Sequence, residues 1–454
     1  MPDEKEMAAL EKDPINYLQS QAEDFLPSPL IVSHAKGSYF YDVQGKGYLD
    51  AMSGYFTNCL GYSDPELCQV LFESSQRLSS WHQYDTTHVF AIDYVRELMA
   101  KVPEELRGKL LFSDSGSGAI EIALRVACAV LESGQRKARL VRLGRGYHGS
   151  TFLTQYLSDP RFNDWPSALK LFSEEPLTLK SPLNDSTAEK ALTQFEEFCR
   201  SENPPNLMVT EPIQWVGGGV FPPGAFFDQL GTLCRKYDVL WISDEISTGF
   251  GPTGKLFAFE RQKTLPDIVV IGKRMAAGYA RLSGVVVAKK ISHRVLEGKH
   301  FHHGYTLSAH PVACAIARVV LRRVTELLPV VEERGNQLKK GLELLRGEFP
   351  SLKSIQGMGL SLSIELPDSK SAKYLTRFLL QKGVYQIPQG KYLVFSPPFI
   401  ITQEQIEFIL SILKLGLSEL PFRNHSSESV STDLSSPSFG ERIDQKDPIR
   451  HLEI

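Results

Sequence analysis

The sequence is short of several things, and each shortage closes off a class of protein. Its 454 residues include six cysteines, Cys59, Cys68, Cys128, Cys199, Cys234 and Cys314, with no CxxC pair and no metal-ligand spacing to histidine. Zinc scaffolds and disulfide frameworks are not expected, and no metal site is. Scattered thiols in a chain this long read as buried small hydrophobes in a reducing compartment. Excess charge is lacking too: the formal net charge is −3 with histidine neutral, which argues against a nucleic-acid-binding surface. No apolar run approaches the about 18 residues of a membrane span. The nearest, Pro311–Leu321, is broken by Arg318. The opening Met1-Pro2-Asp3-Glu4-Lys5-Glu6 is acidic and has neither the apolar stretch of a secretory signal nor the bias of a transit peptide. No repeat at solenoid or propeller period is visible. These absences lead to the expectation of a cytoplasmic protein engaging neither nucleic acid nor membrane.

What is present is an ordinary globular balance, 42% hydrophobic and 23% charged, with ample material for a core. From about residue 60 to 320, helical stretches alternate with short apolar runs. Lys109–Phe112, Leu140–Leu143, Asn206–Val209, Val239–Ile242 and Ile268–Ile271 are such runs. They fit strands buried on both faces of a mostly parallel sheet with helices between. From about 322 the texture changes to a helix over Glu332–Gly347, two short strands around Gly357-Met358-Gly359, and a last helix from about Gln403. Near the N-terminus, Gly37–Asp42 and Lys46–Asp50 read as a hairpin. The expected division is an N-terminal segment (1–59) that joins a small C-terminal α+β domain (322–421), a large domain (60–321), and a Ser-rich disordered tail (422–454).

In an open α/β sheet the ligand sits beyond the carboxyl ends of the strands, so the residues that follow the apolar runs are the candidates for chemistry. Ser113-Asp114-Ser115-Gly116-Ser117-Gly118 opens a helix with an apolar stripe at 119, 122, 123, 126, 127 and 130. Its free amides make either a phosphate seat or simply a capped helix start. Gly146-Tyr147-His148-Gly149 places an aromatic pair at a strand end, suited to covering a flat ring, although His148 also reads as a core imidazole. Asp244, after Val239–Ile242, needs a cation or several donors; a protonated ring nitrogen would serve, as would a role capping the next turn. Lys273, after Ile268–Ile271, is either a surface lysine or one partly desolvated for imine chemistry.

Each signal is weak alone, but their order is not. The helix-start loop, Tyr147-His148-Gly149, Glu211-Pro212-Ile213-Gln214, Asp244-Glu245, Lys273 and Gly304-Tyr305-Thr306 together resemble the class III aminotransferases. The resemblance covers about 30–415 and implies fold type I, an α/β architecture with a large mostly parallel sheet domain and a smaller α+β domain from both chain ends. It further implies pyridoxal 5'-phosphate, bound covalently through Lys273, which also shuttles protons. Asp244 would pair with the ring nitrogen, Tyr147 and Ile246 would sandwich the ring, and Gly116 and Ser117 would bind the phosphate. Thr306 would reach that phosphate from the other subunit of a homodimer with shared sites, acting on small-molecule amine and oxo substrates. Within the family, Thr248–Glu260 and Gly304-Tyr305-Thr306 are most similar to diaminopelargonic acid aminotransferases of biotin synthesis.

The chain departs from that subgroup at the substrate side. Tyr55-Phe56 stands where the subgroup has two tryptophans, Ser150 where it has an aspartate, Pro252 where an arginine is common, and Ile387-Pro388 where an Arg-Pro holds the substrate carboxylate. Tyr55 and Phe56 are thus candidate substrate residues, and Arg281 is a candidate replacement for the missing cation. Isomerase or racemase chemistry on the same fold, and an ω-amino acid or diamine aminotransferase, remain alternatives.

Overall fold

Three strands near the chain start form an antiparallel set: β1 (Val32–Lys36), β2 (Tyr39–Asp42) and β3 (Gly47–Asp50). The computed structural model describes residues 30–162, 175–295, 301 and 304–420, so the expected tail at 422–454 lies outside the described residues. The middle of the chain supplies β4 (Lys109–Ser113), β5 (Leu140–Leu143), β6 (Leu177–Leu179), β7 (Leu207–Thr210), β8 (Leu240–Asp244), β9 (Ile268–Ile271) and β10 (Ser283–Val287). They build one seven-stranded sheet in the order β4-β10-β9-β8-β7-β5-β6. Only β10 runs antiparallel, paired to β4 on one side and β9 on the other. Every residue of β7, β8, β9 and β10 is buried, which is why these strands are written as continuous runs rather than alternations. All five runs singled out in the sequence are strands of this sheet.

The last part of the chain supplies β11 (Ser354–Met358), β12 (Ser361–Glu365), β13 (Val384–Tyr385), β14 (Pro388–Gln389) and β15 (Tyr392–Phe395). β11, β12, β15 and β14 form an antiparallel sheet, whereas β13 leaves it and pairs in parallel with β3. Both chain ends therefore share one sheet, as the fold expectation required.

Two helices matter for the site. Helix α1 (Gly116–Ser133) starts where β4 ends, capped by Ser115, whose side chain accepts from the Gly118 amide. Its stripe of Ala119, Ile122, Ala123, Val126, Ala127 and Val130 is buried, as an amphipathic face against a sheet should be. Helix α2 (Pro311–Glu348) is one unbroken element with Pro329 inside it. It begins about twenty residues before the expected helix, and the boundary expected at 321/322 falls within it. A proline costs the helix one hydrogen bond, and the buried side chains on either side, Val324 and Val331, hold the element together across it. Of the cysteines, Cys59, Cys199, Cys234 and Cys314 are buried, but Cys68 is exposed and Cys128 intermediate; all six are free thiols. No described group of residues could hold a metal ion, and no described helix is long and apolar enough to cross a membrane.

Candidate active site

The carboxyl ends of four parallel strands and the start of α1 converge. Asp244 ends β8 with its side chain 4% exposed. His148, after β5, brings Nδ1 to 2.8 Å from Asp244 Oδ2, and the Ile246 amide donates to Oδ1 at 3.1 Å. The histidine backbone is held in turn, its amide donating to Ser158 Oγ at 2.9 Å. Glu211, just past β7, accepts from the Tyr147 amide at 2.7 Å. Burial and the nearby Asp244 charge push the Glu211 carboxyl well above the usual carboxylate range. Two acids this close, both out of water, call for a cation between them.

Lys273 is that cation. It follows Gly272 at the end of β9, in a left-handed backbone conformation (φ 46°). Its Nζ donates to Ser247 Oγ at 2.7 Å and stands 5.1 Å from the centre of the Phe56 ring. Burial first, and then the adjacent Arg274 guanidinium, lower its pKa to about 8, while Asp244 and Glu211 pull it upward. A lysine amine brought this close to neutrality is fit to attack a carbonyl.

The small residues of the helix start have a packing reason. A Cβ on Gly116 would stand 3.1 Å from Ile246 Cδ1, so this glycine and this isoleucine already face one another. Gly149 sits at φ 135°, where a Cβ would meet Ser117 Oγ at 2.3 Å, and the Ser150 amide donates to that same oxygen at 3.1 Å. Tyr147 packs edge-on to Phe162 and shares a hydrogen bond with Ser150 Oγ at 2.8 Å. The structure thus brings Gly116, Ser117, Tyr147, Asp244, Ile246 and Lys273 to one end of the sheet. The set fits a flat phosphorylated pyridine: a helix start whose first amides have no partner within the helix, a buried acid, and a lysine whose amine, among the described residues, meets a hydroxyl and a ring.

The opposite wall comes from the chain ends. Ser53, Gly54, Tyr55 and Phe56 all have positive φ (49°, 52°, 65° and 70°), a left-handed turn that only Gly54 adopts without strain. Asp50 holds it, accepting from the Met52 amide at 2.8 Å, the Gly54 amide at 2.6 Å and Tyr62 Oη at 2.7 Å. The turn buries Phe56, stacked on Trp215 with centroids 5.2 Å apart, and leaves Tyr55 exposed. Phe56 belongs to an apolar cluster with Met52, Ile213, Trp215, Ile387 and Val394. Ile387 is therefore packed among apolar side chains. Arg281 and Thr306 are exposed, and neither is joined to the cluster around Lys273 by any hydrogen bond among the described residues.

The sequence reading missed two residues of this site. Ser247 holds the lysine amine, and Arg274 holds Ser247, its Nη1 donating to the Ser247 carbonyl at 2.8 Å. Their signal was proximity, each within three residues of an acid or lysine already chosen, but a serine and a second basic residue read as surface. Glu245, beside Asp244, is fully buried and structural: it accepts from Thr248 Oγ1 at 2.6 Å and from the Ala258 and Phe259 amides.

Residues 20–417 match the sequence profile of the family Aminotransferase class-III. Vanillin aminotransferase of Capsicum chinense is 29% identical over 421 residues, 86% of this chain and 92% of that protein. Gamma aminobutyrate transaminase 2 of Solanum lycopersicum is also 29% identical, with the same coverage. Among solved structures, a transaminase from the marine bacterium Virgibacillus superposes with a TM-score of 0.83 at 24% identity, covering 91% of this chain and 98% of that one. The omega transaminase of Pseudomonas jessenii in complex with PMP gives 0.80 at 25% identity, covering 89% of this chain and 94% of that one.

Proposed function

Because the chain belongs to the class III aminotransferases, which depend on pyridoxal phosphate, we propose that Lys273 is the residue that links the cofactor, that Asp244 partners its ring nitrogen, and that the enzyme acts on terminal amines. The bound cofactor supplies an electron sink for the carbon that carries the amine. The rest is the work of this chain's own groups. Gly116 and Ser117 hold the phosphate at the start of α1, with Thr306 of a second copy completing the seat in a homodimer. Tyr147 and Ile246 lie on the two ring faces. Asp244, fixed by His148, keeps the ring nitrogen protonated, and Lys273 carries protons to and from the reacting carbon. The observation that carries this reading is the Lys273 amine, which donates to the Ser247 hydroxyl and feels the charges of the buried acids Asp244 and Glu211. Borohydride reduction of the yellow enzyme followed by peptide mapping tests it. The label is expected on Lys273, and Lys273→Ala is expected to be colourless and to lose on the order of 10⁴-fold or more in turnover. Label on another lysine refutes the assignment.

For the substrate, the apolar wall around Phe56, Trp215 and Ile387 favours an amine whose far end is uncharged, because an unpaired buried anion costs several kcal/mol. An ω-amino acid, with a carboxylate at its far end, needs a cation at the mouth, a diamine needs none there, and 7-keto-8-aminopelargonate of biotin synthesis is the other candidate acceptor. Arg281→Ala separates these cases. If Arg281 binds a distal carboxylate, KM rises for acidic substrates only; an equal effect on acidic and neutral amines removes it from the site. A donor-by-acceptor screen that finds turnover without any oxo-acid partner would move the enzyme to the mutases. We place the enzyme in the cytoplasm, although the names of some relatives carry the word mitochondrial; cell fractionation decides this.

A further inference from the structure

Arg274 is an unusual residue to find beside a reactive lysine. Its side chain is wholly buried, yet among the described residues no carboxylate pairs with it. Nη1 donates to the Ser247 carbonyl at 2.8 Å and Nη2 to Ser396 Oγ at 2.7 Å, while Nε has no partner. The guanidinium lies 5.8 Å from the Phe56 ring centre and 5.9 Å from that of Phe399. Burying a guanidinium against neutral partners is costly, and a structural role alone would be served as well by an apolar side chain of similar volume. Its neighbours suggest what the charge is for. Ser247, whose carbonyl it holds, is the residue whose hydroxyl holds Lys273 Nζ. Phe56, on which it rests, is the ring that Lys273 also approaches, at 5.1 Å. Ser396 ties it to the far wall, since Ser53 Oγ donates to the Ser396 carbonyl at 2.5 Å.

We propose that Arg274 is a positioning residue for Lys273, acting through the Ser247 it anchors and through the fixed positive charge it holds beside the lysine amine. The proposal rests on the reading of Lys273 as the cofactor-linking residue. The charged groups around the pair are few. Asp244 from β8, carrying His148, and Glu211 from β7 face Lys273 and draw it toward the ammonium form. Arg274, from the same turn, opposes them. From the Ala51–Cys59 stretch only the Cys59 thiol lies near Arg274, and it is itself pushed toward the neutral form by burial. The guanidinium therefore acts together with burial against the two acids that draw the amine toward the ammonium form. Burial lowers the pKa of the Arg274 guanidinium to about 10, still above the range in which Lys273 titrates. A buried lysine loses its proton far more readily, which suits arginine to the role.

The test is the titration of Lys273 in the full-length chain stripped of cofactor, read by competitive trace acetylation and mass analysis of the Lys273 peptide from pH 6 to pH 11. The wild-type midpoint is expected near 8. Arg274→Met is expected to raise it by about one pH unit, since a buried like charge that shares the Phe56 ring with the amine has gone. Arg274→Lys keeps the charge and so keeps the midpoint, but one ammonium cannot reach both Ser247 and Ser396; about a tenfold loss in kcat is expected from the loosened seat. A folded Arg274→Met protein with the wild-type midpoint overturns the charge role. If Arg274→Met does not fold, Arg274→Lys decides: wild-type kcat, or a midpoint raised as an uncharged residue would raise it, overturns the proposal. A raised KM for acidic substrates with an unmoved midpoint makes Arg274 a substrate-anion receptor instead and overturns it too. Failure of the underlying reading looks different, because the borohydride label then falls on another lysine whatever Arg274 does.

Discussion

The two walls of the site are built in opposite ways. On one side, Asp244, Glu211, His148 and Lys273 hang from the ends of buried parallel strands, and their partners are near neighbours in the same sheet. On the other, Phe56 is presented by a left-handed turn of four residues that is held by one buried carboxylate, Asp50, and a serine contact from the far end of the chain. Asp244, Glu211 and His148 follow regular strands, whereas Lys273, past the end of β9, itself holds a positive φ of 46°. On the opposite wall the strain is concentrated, with Ser53, Tyr55 and Phe56 all held at positive φ in one turn, each at a cost on the order of 1–3 kcal/mol. A strand end inside a sheet fixes atoms to within the tolerance that proton transfer needs, while a strained turn can be re-set by changing what holds it.

If the strand-end wall carries the chemistry, its removal should be felt most. Asp244→Asn should keep the fold and lose at least ~10²-fold in kcat, about 3 kcal/mol, because a neutral amide does not hold a ring nitrogen in its protonated form. Steady-state rates beside an unchanged circular dichroism spectrum check this, and near wild-type turnover would return Asp244 to a structural role.

The turn should fail differently. Asp50→Ala strands the Met52 and Gly54 amides and Tyr62 Oη, at a cost of roughly 2–4 kcal/mol by denaturant unfolding. KM for bulky amines should rise several-fold more than kcat falls. If small and bulky amines suffer equally, the turn is not a substrate wall, and the contrast between the two sides collapses.

A smaller effect comes from the lysine itself. Its native pKa, about 8, lies below the ordinary 10.5, so between those values the unfolded chain binds a proton that the folded chain does not. The penalty for burying the amine is complete below pH 8 and fades as the pH climbs toward 10.5. In the cofactor-free protein, the Tm of the wild type relative to Lys273→Met should rise by a few degrees across that window. A flat difference would mean the amine is solvated, and that the strand-end wall is wetter than its geometry implies.

The same contrast explains what could be read without coordinates. Strands such as Ile268–Ile271 are buried on both faces, so their sequence is an uninterrupted apolar run, and Asp244 and Lys273 stand out as the first polar groups after such runs. The turn at Ser53–Phe56 has no such signature. Serine, tyrosine and phenylalanine do not announce positive φ, and Asp50, which imposes it, looks like any acid at a strand end. Tyr55-Phe56 was visible only as a departure from a family pattern. Arg274 stayed hidden because Gly-Lys-Arg reads as a solvated basic pair, and nothing local says that the third residue turns inward to meet Ser396. Strand β10 escaped because its direction, antiparallel in a parallel sheet, is a matter of topology rather than of residue type. Helix α2 was placed too late, since a proline at 329 argues for a break that the packing of Val324 and Val331 overrides.

The pairing of Val384 with Leu49 has a consequence for how the enzyme comes into being. Val384 is synthesised 335 residues after Leu49, so at ~5–20 residues per second the N-terminal hairpin waits tens of seconds for its partner strand. During that interval the seven-stranded sheet can assemble from strands already synthesised, and with it the acids and the lysine. The turn that bears Phe56 cannot be locked, because Ser396 has not yet been made. A nascent chain would therefore gather Asp244, Glu211 and Lys273 before it can lock the turn that bears Phe56, and that wall is completed only once Ser396 has been made.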